Sequence, residues 1–352
     1  MKTKTCYRIL GIMSGTSLDG VDIAFCIYTK KKNWSFSIKK TQTIPYSKKW
    51  RDELSGLHKK NDKKIANANI EYGKYLAQLI SEYKDEFNLS FNYIVSHGHT
   101  IFHQPKKGLT LQIGDGQTIA NLTKTTTVCD FRSLDISLNG EGAPLVPIGD
   151  LLLFPQYKYC LNLGGFSNIS IKDNGGITAF DICPVNIVLN QLSKKLGFEF
   201  DKNGTLAKKG TLIPEILNKL NQLKFYNKKP PKSLGREWVE EFIEPIISSE
   251  HKIEDLLHTF CEHIAMQIGN YLKDEKVLIS GGGVFNAYLI CRISHYAKSE
   301  IIIPKNEIID YKEALIFGFL GVLKLRNETN CLQSVTGAER DCSAGEIFKP
   351  QA

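Results

Sequence analysis

Three glycines and three hydroxyl side chains fall close together in Gly11-Ile-Met-Ser-Gly-Thr-Ser-Leu-Asp-Gly20, between apolar runs at 7–10 and 21–28. The runs read as strands and the loop as a hairpin tip suited to phosphate. Gly11, Gly15 and Gly20 allow positive φ and close backbone approach, while Thr16 and Ser17 offer hydroxyl and N–H donors to an anionic phosphoryl group. Residues 159–171, YCLNLGGFSNISI, repeat the order strand, Gly-Ser-Asn turn, strand in the next part of the chain. One Gly-rich turn usually only joins two strands; a pair points to two related halves facing each other across a cleft. Neither loop is a nucleotide-kinase P-loop, because Gly15-Thr16-Ser17 lacks the Gly-Lys-Ser/Thr ending and leads into a strand. The dinucleotide fingerprint is missing for the same reason.

Other residues with chemical potential stand at the ends of apolar runs. Asp181 follows 177–180 and precedes Cys183-Pro184, so a strand there lifts its carboxylate to a cleft, where it is the best candidate for a general base. Arg132 follows the run 125–129; its planar fork can pair with a substrate carboxylate, and an internal ion pair with Asp130 or Asp135 is the competing reading. Residues 139–144 form a polar loop ahead of a helix. His97, His99 and His103 follow the strand-like run 91–96, at the carboxyl end where open α/β sheets hold ligands. Without a helical spacing or a Cys/Asp pair to complete a coordination set, they read as hydrogen-bonding histidines and not as a metal site. Gly281-Gly282-Gly283 follows the run 277–280. It is either a surface on which a flat ring or ribose lies against bare backbone or a tight strand-to-helix turn.

The elements that must position these groups alternate as in an α/β protein. Apolar residues at Tyr72, Leu76, Leu79 and Tyr83 give an amphipathic helix over 67–83, and 256–272 gives another. A length of 352 residues exceeds what one core usually organises, so two domains are expected. With 42% hydrophobic residues, and no apolar run long enough to span a bilayer, the chain reads as an ordinary globular protein with no membrane segment. Its start lacks the apolar stretch of a signal peptide, which gives the expectation of a cytoplasmic protein. Nine scattered cysteines with no Cys-x-x-Cys pair argue against a disulfide framework or structural zinc and read as reduced thiols. The formal charge of +8 sits largely in Lys clusters such as Lys30-Lys31-Lys32. These lack the interleaved aromatics of a nucleic-acid platform, so no nucleic-acid partner is expected.

Taken in order, the motifs resemble the anhydro-N-acetylmuramic acid kinases of the sugar kinase, Hsp70 and actin superfamily over nearly the whole chain. The match runs through GIMSGTSLDGVDIA (11–24), SHGHTIFHQP (96–105), LQIGDGQTIA (111–120), VCDFRSLD (128–135), GEGAPLVPIGDLLLF (140–154), LNLGGFSNIS (161–170), DKNGTLAKKG (201–210), PPKSLGREW (230–238), LISGGGVFNAYL (278–289), DYKEA (310–314) and VTGAERD (335–341). The resemblance implies ATP-dependent opening of the 1,6-anhydro bridge of anhydro-N-acetylmuramic acid and phosphorylation of the freed 6-oxygen, in peptidoglycan recycling. It implies that Gly15, Thr16, Ser17, Leu18, Asp19, Gly20, Val21 and Asp22, with Gly164, Gly165 and Asn168, hold the ATP phosphates and orient Mg²⁺. Gly281, Gly282 and Gly283 would meet the adenosine. Asp181 would be the base toward water, Arg132 would neutralise the lactyl carboxylate, His97 would lie on the sugar side, and Glu313 would bond the sugar or position the water.

The implied fold is α/β, with two actin-like (ribonuclease H-like) domains around a nucleotide and sugar cleft. The expected domains are 1–130, with 336–352 packing back on it, and 131–335; members are commonly homodimers. The chain departs from the family at Ile182, Cys183 and Val185, where Thr, Gly and Gly are usual, and at His99, Asn139 and Glu141. A nucleotide-binding sensor of cell-wall sugars without turnover is the alternative function; the joint retention of Asp181, Arg132 and Glu313 favours the enzyme.

Overall fold

The computed structural model describes residues 5–15, 18–174, 176–247 and 250–351. They fall into two compact units, one from the described residues of 1–153 and 311–352, the other from those of 154–310. The first unit contains β1 (Cys6–Met13), β2 (Gly20–Lys30), β3 (Trp34–Pro45), β4 (Tyr93–Ser96), β5 (His99–Gln104), β6 (Leu109–Ile113) and β7 (Thr127–Cys129). The second contains β8 (Tyr159–Leu163), β9 (Phe166–Asp173), β10 (Gly176–Pro184), β11 (Lys273–Ser280) and β12 (Lys298–Ile302); β13 (Glu346–Phe348) belongs to the first.

Among the described residues the first sheet runs β13-β7-β4-β1-β2-β3 and the second β10-β9-β8-β11-β12. In each, three successive strands form an antiparallel meander, β1-β2-β3 and β8-β9-β10. The first strand of each meander then pairs in parallel with a later one, β4 or β11. The shared order is that of two actin-like α/β domains. Both Gly-rich segments are hairpin tips, since β1 pairs β2 through Met13 and Asp22, and β8 pairs β9 through Leu163 and Ser167.

The apolar run of β1 is continuous because both of its faces are covered. Leu10 and Ile12 join Val21, Ile23 and Phe25 against the helix Asp62–Glu86, through Tyr72, Leu76 and Ile80. Gly11 lies on the opposite face, where a Cβ would stand 2.3 Å from the Ala314 carbonyl oxygen of the helix Asn306–Leu325. Its smallness therefore serves helix-on-strand packing. Gly11→Ala should lower stability by about 1–3 kcal/mol, because the obstructing atom is backbone. An unchanged urea midpoint would show that this helix yields freely.

Two elements extend beyond their sequence signal. The helix expected at 67–83 starts at Asp62, capped by Asn61 accepting from Lys64 N at 3.0 Å; its polar first turn carries no apolar period. β11 begins at Lys273, before the expected 277, because its first four residues are exposed. The chain divides between its two units at 153/154 and 310/311, where the sequence suggested 130 and 335. Residues 147–153 form a helix of the first unit, with Gly149 against Ile316 and buried Asp150 paired to buried Lys312 at 2.8 Å. The C-terminal part is fixed by β13 pairing with β7.

Candidate active site

In the first unit, β4 ends at Ser96 and delivers His97 into a buried position. Its Nδ1 lies 2.9 Å from the Gly98 carbonyl and therefore carries the proton, so Nε2 is an acceptor. Arg132 donates to that nitrogen through Nε at 3.1 Å and Nη2 at 2.7 Å, and through Nη1 to the Gly142 carbonyl at 2.6 Å. Burial, reinforced by the Arg132 charge, pushes His97 down to about 3, so it stays neutral and holds the guanidinium as a lone-pair acceptor. The ion pairs considered for Arg132 do not form: Asp130 accepts from Ser133, and Asp135 accepts from Gly142 N at 2.8 Å and Thr336 Oγ1 at 2.8 Å. His99 is buried against the Tyr46 and Tyr72 rings, and Asn139 donates to Glu339. None of the three histidines enters a metal-type cluster among the described residues.

Glu313 projects from the helix Asn306–Leu325 next to the buried Lys312. It keeps an exposed face, yet the surrounding chain removes enough water to raise its carboxyl; Arg132 opposes the rise, Asp22 adds to it, and Lys312 opposes it. Arg132 and Glu313 thus act on each other electrostatically, as do Glu313 and Asp22, so the fold brings these predicted groups into one neighbourhood. Asp22 stands at the base of the first hairpin, where it accepts from Thr43 Oγ1, which also reaches the Tyr311 hydroxyl at 3.2 Å. At the tip, the Gly15 carbonyl accepts from Leu18 N, with Leu18 at φ 61°. Leu18 and Val21 pack into the core, Gly20 lies against the Ile44 carbonyl, and Asp19 is exposed. Thr16 and Ser17 lie outside the described residues.

In the second unit, Asp181 differs from its expected place at a strand end: β10 continues through it to Pro184 by way of a bulge between Asp181 and Cys183. Ile182, Cys183 and Val185 are fully buried, and Ser167 Oγ ties the backbone of Cys183 on both sides. Asp181 is half-buried and pairs across the ladder with Asn168, which pairs with Asn162, which pairs with Ser280. Cross-strand partners share a face, so these four residues make one polar row over four strands.

The segment after the second Pro of 230–231 runs beside this row. Asp181 N donates to the Lys232 carbonyl at 3.1 Å, and Leu234 N donates to Asp181 Oδ2 at 2.8 Å. Lys232 is buried with its ammonium 4.6 Å from the Phe225 ring centroid, which anchors the segment. Burial raises the Asp181 carboxyl above its usual range, and the Leu234 N–H partly offsets this.

The carbonyls of Gly164 and Gly165 accept from Val185, Asn186 and Ile187 at the start of the helix Asn186–Lys194. The second tip is thereby fastened to a helix N-terminus. Gly281, at φ 85°, and Gly283 are required by close packing on Asn162 and Leu163, whereas a Cβ on Gly282 would have nothing nearer than 4.0 Å. Only Gly282 of the three thus presents open backbone. The Ser280 hydroxyl beside them is buried without a hydrogen-bond partner among the described residues.

Asn162, Ser280 and Leu234 escaped the sequence reading. The signal for the first two was an apolar strand ending on a polar residue; Leu234 acts through its backbone and left none.

The model of the anhydro-N-acetylmuramic acid kinase family matches residues 7–350. A Bacillus cereus (strain G9842) protein named anhydro-N-acetylmuramic acid kinase is 31% identical over 378 aligned positions, covering 97% of this chain and 99% of its own. The protein of the same name from Francisella tularensis subsp. novicida (strain U112) is 34% identical over 376 positions, covering 96% and 97%. Among solved structures, the Clostridium difficile activator of 2-hydroxyisocaproyl-CoA dehydratase with bound ADPNP is similar with a TM-score of 0.45 at 12% identity, covering 91% of this chain and 97% of that one.

Proposed function

The chain belongs to the anhydro-N-acetylmuramic acid kinase family, and from that premise we propose that it opens the 1,6-anhydro ring of anhydro-N-acetylmuramic acid with water and phosphorylates the freed 6-oxygen from ATP. The product is N-acetylmuramic acid 6-phosphate, formed in the cytoplasm during peptidoglycan recycling, by a chain that functions as a homodimer. The observation that carries this reading is the Asp181 carboxylate, set on a polar strand row and gripped at Oδ2 by Leu234 N–H.

Water attacks the anomeric carbon while Asp181 takes its proton, and the bond from that carbon to the bridging oxygen breaks. The released 6-oxygen attacks the γ-phosphorus, and ADP departs. Arg132, preset by neutral His97 and Gly142, receives the lactyl carboxylate, and Glu313 bonds the sugar or positions the water. The hairpin around Gly15–Asp22 and the tip at Gly164, Gly165 and Asn168 receive the phosphates. The open backbone of Gly282 and the unsatisfied Ser280 hydroxyl suit a nucleotide in the second unit. Asp22 suits the hydrated Mg²⁺ that accompanies ATP, an ion that neutralises phosphate charge and usually keeps several waters.

Incubation with Mg-ATP and the anhydro sugar, followed by mass spectrometry, should give a product heavier by one water and one phosphoryl unit. Binding of both ligands without product would establish the silent sensor instead. Because Asp181 works ionised, kcat/KM should fall as pH drops through its pKa, and that acid limb should lie above the ordinary carboxyl value of 3.8. A limb at or below 3.8 would show that the group whose ionisation controls the rate is not this raised carboxyl. Gly15→Val should weaken ATP binding, read by titration calorimetry, with the fold retained. Unaltered affinity would remove the first hairpin from the phosphate site.

A further inference from the structure

The cysteines that look scattered in the sequence include one pair that the fold brings face to face. Cys331 and Cys342 are partners in an isolated antiparallel bridge and exchange both backbone bonds, Cys331 N to Cys342 O and Cys342 N to Cys331 O, each 3.1 Å. Such a pair holds its Cα atoms about 5.5 Å apart, inside the range of about 4.4–6.8 Å that a disulfide spans. The two sulfurs and a carboxylate oxygen of Asp135 all lie within 4.8 Å of one another, and both thiols are free.

We propose that Cys331 and Cys342 are an oxidisable dithiol that closes, under peroxide, to an intrachain disulfide without movement of the backbone. Cys342 is the sulfur that meets the oxidant, being 9% exposed against 2% for Cys331. Contact with the Cys331 thiol, helped by Arg340 and opposed by burial and Asp135, sets Cys342 below the usual thiol range, whereas burial pushes Cys26, Cys129, Cys183 and Cys261 up. The Cys342 thiolate attacks one peroxide oxygen, the O–O bond breaks, and a sulfenic acid and hydroxide form. Cys331 sulfur, losing its proton, then attacks the sulfenic sulfur and expels the oxygen bound there as water, while the hydroxide takes up a proton as the second water. One peroxide and two thiols become one disulfide and two waters.

The same three ligands suit a thiophilic cation, but geometry favours the disulfide. Asp135 already accepts from Thr336 Oγ1, from Gly142 N and, at 3.0 Å, from Cys331 Sγ. A metal would compete for these lone pairs, whereas the disulfide withdraws only the S–H donor. That donor shares Asp135 with Gly142, whose carbonyl holds Arg132, so the dithiol adjoins the loop that presents the arginine.

The test uses the full chain with the exposed thiols removed as Cys6→Ser and Cys291→Ser, treated with hydrogen peroxide, alkylated after denaturation and digested with trypsin. Cleavage after Arg340 separates the two cysteines. The expected result is a Cys331 peptide joined to a Cys342 peptide in most chains, reversed by dithiothreitol, with the other buried cysteines still alkylated. In Cys331→Ser, Cys342 should stop at a sulfenic acid trapped by dimedone. Two alkylated thiols after peroxide, random pairing among the buried cysteines, or a pair protected by one bound zinc until a chelator is added would each overturn the proposal. The peptide map of the Cys331-containing protein decides even if the Ser variant does not fold.

Discussion

Asp181→Asn should lower turnover about a hundredfold or more while ATP affinity stays nearly unchanged. The amide keeps the shape and can still accept from Leu234 N–H through its oxygen, so the polar row and the bulge at Asp181 and Cys183 remain in place. What it cannot do is take a proton from water. Steady-state rates on the anhydro sugar, with nucleotide titration as the control, separate these effects. Full activity would move the base to Glu313, the other carboxyl raised by its surroundings. A joint loss of ATP binding would mean that Asp181 serves the phosphate site instead.

Arg132→Ala should cost about 2–4 kcal/mol against the muramic sugar, or roughly 30- to 1,000-fold in kcat/KM. The guanidinium has no carboxylate within ion-pair distance among the described residues; its bonds go to a neutral imidazole and a carbonyl, so its charge awaits a partner. Removing it also strands His97 Nε2 and the Gly142 carbonyl, a loss common to every substrate. The informative quantity is therefore the difference between anhydro-N-acetylmuramic acid and the anhydro-N-acetylglucosamine analogue without the lactyl group, which should suffer much less. Equal losses on the two sugars would make Arg132 an organiser of the loop at 139–142 and not the reader of the acid.

Elements whose signal is local could be read from the order of the residues. Apolar runs broken by Gly-rich turns marked both hairpins, and a helical period marked the core of the helix Asp62–Glu86. Asp181, Arg132, His97 and Glu313 could be singled out as candidates because each stands in a motif that resembles a family whose model matches residues 7–350. Features that depend on residues distant in the chain emerge only in the folded molecule. Gly11 reads as a loop glycine until Ala314 of a helix some three hundred positions later is seen against it. The competing ion pairs for Arg132 could be set aside only once Asp135 was found committed to Gly142 and Thr336. Leu234 holds the Asp181 carboxylate through a main-chain N–H that every residue but proline possesses, so side-chain identity could not announce it. Cys331 and Cys342 became a pair only when a bridge set their backbones opposite, since sequence spacing carries no information about cross-strand register between such short segments.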